Sequence, residues 1–554
     1  MVVLKTQSEF GHAPPPQTPY SIVSNLPGWD MLQRFRDGDM SPLGSIVHIY
    51  PRFSPTHFAA QLGQEIAKKL GMEGKGCMLY LNPIMIPYTL RHVSLEHRKE
   101  HVMKPEDLTW KVVDVAGHRL FAVFYNPMQT HGIILSWGQP GLGISIRGAE
   151  GLLKGAATME EVPMDDLANP PKPTFTPESW AHEGLRARII ELLHRATIDP
   201  AKVTCEPKDV FLYPTGMGAV YSTTNLLPEY RPGTAVVLGV VFHNTHHHLF
   251  EEAPNGFKHV GTVDEKSIDS LETWLEEEKV AGRPVSFAMV EFPGNPTLDA
   301  VDLPRLKKLS EKYGFVLIVD DTIGGFGNVD VFEHADILLT SLTKSFSGYS
   351  NVLGGSIVLN PLSSHYSELA AKFASTHMNE LFAADAQVLL SNSQDFLTRT
   401  RRLNRNAEAM ASFFQRHVAD PDSPIINVQY PTHLSSKPNY DALMRRSTPE
   451  LPEPGYGCLL TVDFESTNTA RAFYDRCGFY PSPHLGAHVT VMIAYNMMAF
   501  GKDPEDRAYF RKIGVKEESV RFSAGLEDVE DLIDTIKDAL DVAAEAKKNE
   551  GKEE

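Results

Sequence analysis

From about residue 180 onward, short apolar runs alternate with segments in which apolar residues recur every three or four positions. Three of the apolar runs are typical of buried strands: TAVVLGVVF (Thr234–Phe242), VSFAMVEF (Val285–Phe292) and FVLIVDD (Phe315–Asp321). The intervening segments, such as LPRLKKLSEKYG (Leu303–Gly314), have helical spacing. This alternation predicts an α/β domain with a mostly parallel sheet.

Smaller units are predicted on both sides of this domain. Strand-like runs occur at GSIVHIY (Gly44–Tyr50) and HRLFAVFY (His118–Tyr125), with a helical pattern at Phe58–Gly71 between them. Residues 363 to about 417 are nearly all helical in pattern, and a smaller α+β pattern follows. We therefore divide the chain into a disordered arm (1–20), an N-terminal region (21–150), a large domain (151–365), a C-terminal domain (366–545) and a charged tail (546–554).

Composition narrows the class of protein. The 554 residues carry a net charge of −18, and no basic face is evident, so nucleic acid is not an expected partner. The four cysteines are widely spaced, which favours reduced thiols over zinc binding or disulfides. The N-terminus lacks a signal-peptide pattern, and no run reaches the roughly 18 apolar residues of a membrane span. We expect a soluble, cytoplasmic protein.

Polar residues follow the predicted strands at the edge where parallel sheets collect ligands. Thr215, Gly216 and Met217 fall where a strand gives way to a helix, which suits a phosphate or simply a tight turn. Asn295 follows the strand that ends at Phe292 and serves either turn chemistry or a ligand oxygen. Asp320 ends a wholly apolar strand, where it could meet a positively charged heterocycle nitrogen, ligate a metal or cap a helix.

Lys344 lies in SLTKSFSGYSNVLGG (Ser341–Gly355), directly after an apolar run. A desolvated lysine can form a Schiff base, and the hydroxyls of Ser341 and Thr343 could hold a phosphate; the alternative is a surface lysine. Arg521 is either a carboxylate clamp or a partner in a surface ion pair. Together these positions supply the parts that a pyridoxal-phosphate enzyme acting on an amino acid needs.

Several motifs resemble the Cys/Met-metabolism family of pyridoxal-phosphate enzymes, which have fold type I: IVDDT, SLTKSFSG, NVLGGSIVLNP and VRFSAGLEDVEDLI. Further segments are similar to fungal cystathionine gamma-synthase and its paralogues, a subgroup with an extra N-terminal region: YPRF (Tyr50–Phe53), GISIRGAE, NYDALMR and HLGAHVTVMIAYNMMAF. The resemblance implies a large PLP-binding domain, a smaller C-terminal domain and an N-terminal extension with an arm that contacts another subunit.

The resemblance also implies roles for individual residues. Lys344 would bind the cofactor and shuttle protons, Asp320 would keep the pyridine nitrogen protonated, and Arg521 would clamp the substrate carboxylate. The remaining cofactor and substrate contacts that it implies are Thr215, Gly216, Met217, Asn295, Thr322, Ser341, Thr343 and Thr490. Arg147 would reach the phosphate of a neighbouring subunit, in a homotetramer that is a dimer of dimers with shared active sites.

Three departures from the family pattern surround the expected substrate. The family places a tyrosine on the cofactor ring where this chain has the predicted loop FHNTHHHLF, so the ring contact falls to His243, to Phe242 or to neither. We assign it to His243 and predict no metal, since adjacent histidines rarely all face one ion. Ser145 stands where the family has a tyrosine, and His484 stands where it commonly has serine, next to the substrate.

The combined interpretation is a PLP-dependent transferase that catalyses γ-replacement on an O-acyl homoserine. With cysteine as nucleophile the product is cystathionine, as in trans-sulfuration within methionine and cysteine metabolism. The alternatives are γ-substitution by a carbon or nitrogen nucleophile in a specialised biosynthetic pathway, a γ-lyase, and a non-catalytic PLP-binding paralogue. Lys344, Asp320 and Arg521 argue against the last of these.

Overall fold

The computed structural model describes residues 2–39, 41–50, 53–174 and 176–553, and it contains three β-sheets. Pro51 and Arg52 of the YPRF motif lie outside the described residues. Within these ranges, no helix combines the length and the apolar character needed to cross a membrane. All four cysteines lie in the described ranges, and none is within disulfide distance of another.

The first sheet is antiparallel and has the strand order β1–β3–β2–β4. Its strands are Gly76–Tyr80 (β1), Thr109–Val115 (β2), His118–Tyr125 (β3) and Glu160–Val162 (β4). The helices of this part are Trp29–Arg36 (α1), His57–Lys69 (α2), Met85–His92 (α3), Thr130–Gly138 (α4) and Ile146–Leu153 (α5). The helix predicted at Phe58–Gly71 and the strand predicted at His118–Tyr125 are therefore confirmed.

The strand predicted at Gly44–Tyr50 is wrong. Residues 41–45 form a 3-10 turn, and the amides of Val47 and His48 both donate to the Gly11 carbonyl at 3.0 Å. These hydrogen bonds tie the run to a neighbouring loop in place of a strand partner, and Val47 is exposed while Ile49 is buried.

The central sheet has seven strands in the order β5–β11–β10–β9–β8–β6–β7. Its strands are Val210–Tyr213 (β5), Thr234–Leu238 (β6), Phe257–Val260 (β7), Val285–Glu291 (β8), Val316–Asp320 (β9), Ile337–Thr340 (β10) and Gly355–Leu359 (β11). Only β11 among these strands runs against the others. The predicted α/β class with a mostly parallel sheet is confirmed.

Helices cover both faces of this sheet. They are Trp180–His194 (α6), Gly216–Tyr230 (α7), His243–Glu252 (α8), Glu265–Val280 (α9), Leu303–Tyr313 (α10), Gly325–Asn328 (α11) and Tyr366–Thr376 (α12). Alternate residues of β9 enter different cores: Leu317 and Val319 pack with α6 and α10, whereas Val316 and Ile318 pack with α7. A strand buried on both faces must be apolar throughout, which explains the continuous run in the sequence.

The segment FHNTHHHLF, predicted to be a loop, is mostly helix α8. Thr245, His248 and Leu249 are buried at the i, i+3 and i+4 spacing of one helical face. The hydrophobic pattern of the sequence does not show this helical spacing, because two of the three buried residues are the polar types Thr and His.

The third sheet has the order β12–β13–β16–β15–β14 and is antiparallel except between β14 and β15. Its strands are Ile425–Gln429 (β12), Leu459–Phe464 (β13), Tyr480–Pro481 (β14), Val491–Ile493 (β15) and Ser519–Ser523 (β16). The helices are Ala383–Asn392 (α13), Phe396–His417 (α14), Lys437–Ala442 (α15), Thr467–Arg476 (α16), Tyr495–Phe500 (α17), Pro504–Lys512 (α18) and Val529–Glu553 (α19). Aromatic side chains from α14, α16 and β16 share one core under this sheet.

The two ends of the chain are more ordered than their composition indicates. Residues 2–20 contain no helix or strand, but the Leu4 amide donates to Thr535 Oγ1 at 2.8 Å, and Ala13 is buried. The expected charged tail continues α19 as far as Glu553. The domain limits drawn from the sequence stay predictions.

Glu380 is a buried carboxyl where the first sheet meets the central domain. Its Oε1 accepts from Asn82 Nδ2 at 3.2 Å, and its Oε2 has no hydrogen-bond partner among the described residues. Burial raises the pKa of Glu380 to about 8. The folded protein therefore holds this group protonated at neutral pH.

Because the pKa of Glu380 is raised on folding, its contribution to stability is full below about pH 4.5 and is lost as pH rises through about 8. We compare the free energy of unfolding of Glu380→Gln with that of the wild type at two pH values. We expect the difference, variant minus wild type, to be more positive at pH 8 than at pH 5 by about 1 kcal/mol or more. Urea denaturation at the two pH values measures this. Glu311→Gln, at an exposed position of α10, is the control; equal pH dependence in both variants would contradict the prediction.

Candidate active site

Thr322 links the end of β9 to the loop that carries Lys344. Its amide donates to Asp320 Oδ1 at 2.9 Å, and its Oγ1 accepts from the Ser341 amide at 2.8 Å. Because β9 and β10 are parallel neighbours, their carboxyl ends open on the same edge of the sheet. The predicted residues Asp320, Thr322 and Ser341 are thus brought together.

The start of α7 lies beside them. Thr215 caps this helix: its Oγ1 accepts from the Gly218 amide at 2.8 Å and donates to the Gly141 carbonyl at 2.9 Å. A Cβ added to Gly216 would lie 2.8 Å from the Ser341 side chain, so only glycine allows this approach. The amides of Gly216 and Met217 in the first turn have no partner within the helix, which makes this end an anion site.

Two carboxyls meet at the centre of the edge. Glu291 is the register partner of Asp320 on the adjacent parallel strand, and both are buried. Burial, together with the Asp320 charge, holds the pKa of Glu291 well above its usual range, and burial raises the pKa of Asp320 to about 6. Since no ion pair joins either group to a cation within the described ranges, the pair is electrostatically suited to a positively charged ligand atom.

Lys344 is half-buried, and its Nζ donates to the Tyr50 hydroxyl at 3.5 Å. Arg399 fixes the backbone that follows, donating to the carbonyls of Ser345 at 2.7 Å and Phe346 at 3.0 Å. The lysine therefore projects from a loop whose main chain is firmly held.

Gly486 brings a second loop against this backbone. It has φ +71°, and an added Cβ would lie 2.4 Å from the Ser345 amide nitrogen and 2.9 Å from the Lys344 carbonyl carbon. The Gly486 amide also donates to Ser523 Oγ at 2.9 Å. This contact sets His484, two residues earlier, close to Lys344.

Arg521 is buried and rigidly held on β16. It donates to Asn295 Oδ1 at 3.0 Å and to the Pro483 carbonyl at 2.8 Å, and its guanidinium carbon lies 4.0 Å from the centre of the Tyr495 ring. Tyr495 in turn hydrogen-bonds His243 Nδ1 at 2.9 Å. His243, predicted at the cofactor ring, is thus tied to the expected carboxylate clamp.

His484 is buried with neither ring nitrogen hydrogen-bonded within the described part of the chain. Burial first, and then the charges of Lys344 and Arg521, hold the pKa of His484 well below its usual range. A neutral imidazole offers one donor and one acceptor, so both can serve a polar ligand.

Three predicted residues have their side chains engaged elsewhere. Thr343 Oγ1 donates to the Gly354 carbonyl at 3.2 Å, which leaves it no proton for a phosphate. Thr490 Oγ1 donates to Glu527 Oε2 at 2.8 Å. Arg147 bonds Asp385 and the Asn351 carbonyl of its own chain. Their roles toward cofactor or substrate stay predictions.

The histidines of α8 point into different surroundings. His246 packs against His259 and Phe510, whereas His248 Nε2 lies 3.0 Å from Thr224 Oγ1. Among the residues that the structure describes, no group of three or more His, Cys, Asp or Glu side chains is arranged to hold a metal ion.

Sequence reasoning missed three residues at this site: Glu291, Tyr495 and Tyr50. Glu291 ends an apolar strand in the same way as Asp320, and this signal could have identified it. Tyr495 and Tyr50 carry no local signal of this kind, since each reaches the site only through tertiary packing.

Comparison with known proteins gives a consistent set of relatives. A family model described as Cys/Met metabolism PLP-dependent enzyme matches residues 203–541. The alanine racemase ungC of Aspergillus violaceofuscus is 33% identical over 76% of this chain and 74% of its own length. The cystathionine gamma-synthase-like enzyme iboG2 of Amanita muscaria is 30% identical over 99% of this chain and 98% of its own length. Cystathionine gamma-synthase of Neurospora crassa is 35% identical over 61% of this chain and 52% of its own.

Solved structures agree on the fold. Cystathionine gamma synthase from Xanthomonas oryzae, in complex with aminoacrylate and cysteine, superimposes with a TM-score of 0.52 at 20% identity. The match covers 67% of this chain and the whole of that one. The fold type I architecture expected from the sequence is confirmed.

The contact of Gly486 with the lysine loop leads to a prediction. A methyl group at 486 must push away the Lys344–Ser345 backbone, so we expect Gly486→Ala to lower pyridoxal phosphate content at least about fivefold and to reduce thermal stability. Absorbance of the purified protein and thermal unfolding measure the two effects.

Gly151→Ala is the matched control, because an added Cβ there meets nothing within 4 Å. Full cofactor content in Gly486→Ala would show that the loop adapts without disturbing the lysine.

Proposed function

The chain belongs to the Cys/Met metabolism family of PLP-dependent enzymes, and we propose that it catalyses γ-replacement on an O-acyl homoserine. With cysteine as the nucleophile, the γ-carbon–oxygen bond breaks, a γ-carbon–sulfur bond forms, and the acyloxy group leaves with the thiol proton as the free carboxylic acid. The product is cystathionine.

The residues at the sheet edge fit pyridoxal phosphate. The two buried carboxyls, Glu291 and Asp320, form no ion pair among the described residues, and a protonated pyridine nitrogen would give them a positively charged partner. The first turn of α7, with the neighbouring Ser341, offers donors for the phosphate. When bound, pyridoxal phosphate makes the protons on the substrate's α- and β-carbons acidic by withdrawing electrons.

The side chains of this chain then divide the remaining work. Lys344 would hold the cofactor and carry protons between the α- and β-carbons, since its amine projects from a fixed backbone. Arg521 would grip the substrate carboxylate, oriented by Asn295 and Tyr495. Asp320 would retain the pyridine proton.

One observation carries the proposal: the clamp, the lysine and the buried acid lie on three separate elements that meet at a single edge. Arg521 is on β16, Asp320 ends β9 and Lys344 follows β10. A substrate with an α-amino and an α-carboxyl group matches this set.

The alternative of a different nucleophile also has support. The substrate side of the site, with His484 and the His243–Tyr495 pair, is where this chain departs from the family pattern. The relative iboG2, which aligns over 99% of this chain, is named a cystathionine gamma-synthase-like enzyme and not a cystathionine gamma-synthase. A carbon or nitrogen nucleophile, or water in a γ-lyase reaction, is compatible with the same cofactor site.

The homotetramer and the cytoplasmic location expected from the sequence are proposals as well. Light scattering of the purified protein tests the assembly, and the phosphate contact of Arg147 across a subunit boundary depends on it.

The first test is direct. We expect the purified protein to show the absorbance of bound pyridoxal phosphate and to form cystathionine from O-acetylhomoserine and cysteine. We expect Lys344→Ala to lose at least about a thousandfold in kcat, because both proton transfers pass through its amine. Mass spectrometry of the products and absorbance of the protein provide the readouts.

Lys312→Ala, at the exposed end of α10, serves as the lysine control. Ketobutyrate without cystathionine would favour the lyase, and turnover only with another nucleophile would favour the specialised pathway. An unchanged absorbance spectrum and full activity in Lys344→Ala would overturn the cofactor site.

A second prediction concerns His484. If its free ring nitrogens bind the substrate, His484→Ser should raise KM about three- to tenfold, the equivalent of one lost hydrogen bond, while the spectrum of bound cofactor stays unchanged. Steady-state kinetics separate KM from kcat. His417→Ser, at the far end of α14, is the control, and an unaltered KM in His484→Ser would remove His484 from the substrate site.

A further inference from the structure

Hydrogen bonds within the N-terminal segment, residues 8–39 and 41–50, join its beginning, its middle and its end. The Gly11 amide donates to the Asn25 carbonyl at 2.8 Å, and the Asn25 amide donates to the His12 carbonyl at 2.9 Å. The amide of His48 returns to Gly11, and Ser24 Oγ donates to the His48 carbonyl. The stretch that ends at Tyr50 is therefore held by the segment that precedes it.

This segment is fastened to both loops that form the substrate side of the site. The Ile22 amide donates to the Ser350 carbonyl at 2.9 Å, in the loop that follows Lys344. The Leu26 amide donates to the Pro481 carbonyl at 2.9 Å, three residues before His484. The N-terminal segment thus spans the two loops.

Tyr50 is where the segment reaches the lysine. Its hydroxyl oxygen accepts from Lys344 Nζ at 3.5 Å, and the same Nζ lies 5.3 Å from the centre of the ring. The Tyr50 ring is also 6.3 Å from the His484 ring, centre to centre. Tyr50 is half-buried, so the hydroxyl acts on Lys344 in a partly desolvated space.

These contacts have a physical consequence for proton transfer. A hydroxyl that accepts a hydrogen bond from an ammonium group stabilises the charged form of the amine. The hydrogen bond also restricts the orientations of the amine. A proton carrier that serves two adjacent carbons must be held in a narrow set of positions. The neighbouring His484 has two buried ring nitrogens without a hydrogen-bond partner among the described residues, which is typical of a place that takes a polar ligand atom.

We infer that Tyr50, supplied by the N-terminal segment of the same chain, is a positioning residue of this active site. Its hydroxyl orients the Lys344 amine for proton transfer, and its ring and His484 bound the space for the substrate side chain. The inference rests on the proposed function, since it takes Lys344 as the proton carrier.

The test is Tyr50→Phe, which removes the hydroxyl and keeps the ring. We expect kcat to fall about tenfold with KM changed less than about threefold, because the hydroxyl steers a proton carrier and does not bind substrate. In the absence of substrate, the pH at which the spectrum of bound cofactor changes should fall by about 0.5 unit or more, since the protonated nitrogen of Lys344 loses an acceptor.

Tyr313→Phe is the matched control: its hydroxyl donates to Glu276 at 2.9 Å on the surface of the central domain. We expect it to match the wild type in spectrum and kinetics. Thermal unfolding of both variants checks that the fold is retained, as a contact that only packs the N-terminal segment would lower thermal stability and leave the spectral pH dependence unchanged.

The outcomes separate the two proposals. If Lys344→Ala abolishes activity while Tyr50→Phe keeps both the wild-type kcat and the wild-type spectral titration, the role of Tyr50 is wrong and the proposed function stands. If Lys344→Ala leaves cofactor binding and turnover intact, the proposed function is wrong, and the inference about Tyr50 is wrong with it. A tenfold loss in Tyr50→Phe together with the spectral shift supports the inference.

Discussion

Thr322 joins the two loops on which the site depends. One backbone donor reaches Asp320 and one side-chain acceptor takes the Ser341 amide, so the buried acid at the end of β9 and the loop of Lys344 after β10 are held in one arrangement. The bridge adds to the pairing of β9 with β10 and to the hold of Arg399 on the backbone after Lys344. The parallel sheet places Asp320 and the Lys344 loop at the same edge, and Thr322 links the two.

Around this bridge, two glycines allow neighbouring segments to pack closely against the lysine loop. Gly216 lets the start of α7 lie against Ser341, and Gly486 lets the His484 loop lie against the Lys344 backbone. Each approach excludes any side chain at the contact. The result is a small site whose walls come from the central sheet, the third sheet and the N-terminal segment.

Electrostatics divide the site into two halves. At the base, Glu291 and Asp320 form an acidic pair with burial-raised pKa values, whereas Lys344 and Arg521 make the substrate side positive. Burial first, and then these two charges, hold the pKa of His484 well below its usual range. This polarity matches a ligand with a cationic ring nitrogen at one end and a carboxylate at the other.

The sequence by itself determined the parallel α/β class and the candidate acid, lysine, clamp and phosphate turn. Strands buried on both faces must be continuously apolar, so polar residues at their ends stand out. It misassigned Gly44–Tyr50 and FHNTHHHLF, where packing partners and not local pattern fix the conformation. Only the tertiary structure decided that Tyr50 meets Lys344, 294 positions away, and that His243 reaches Arg521 through Tyr495. Contacts between distant segments depend on how whole elements dock, which no local periodicity records.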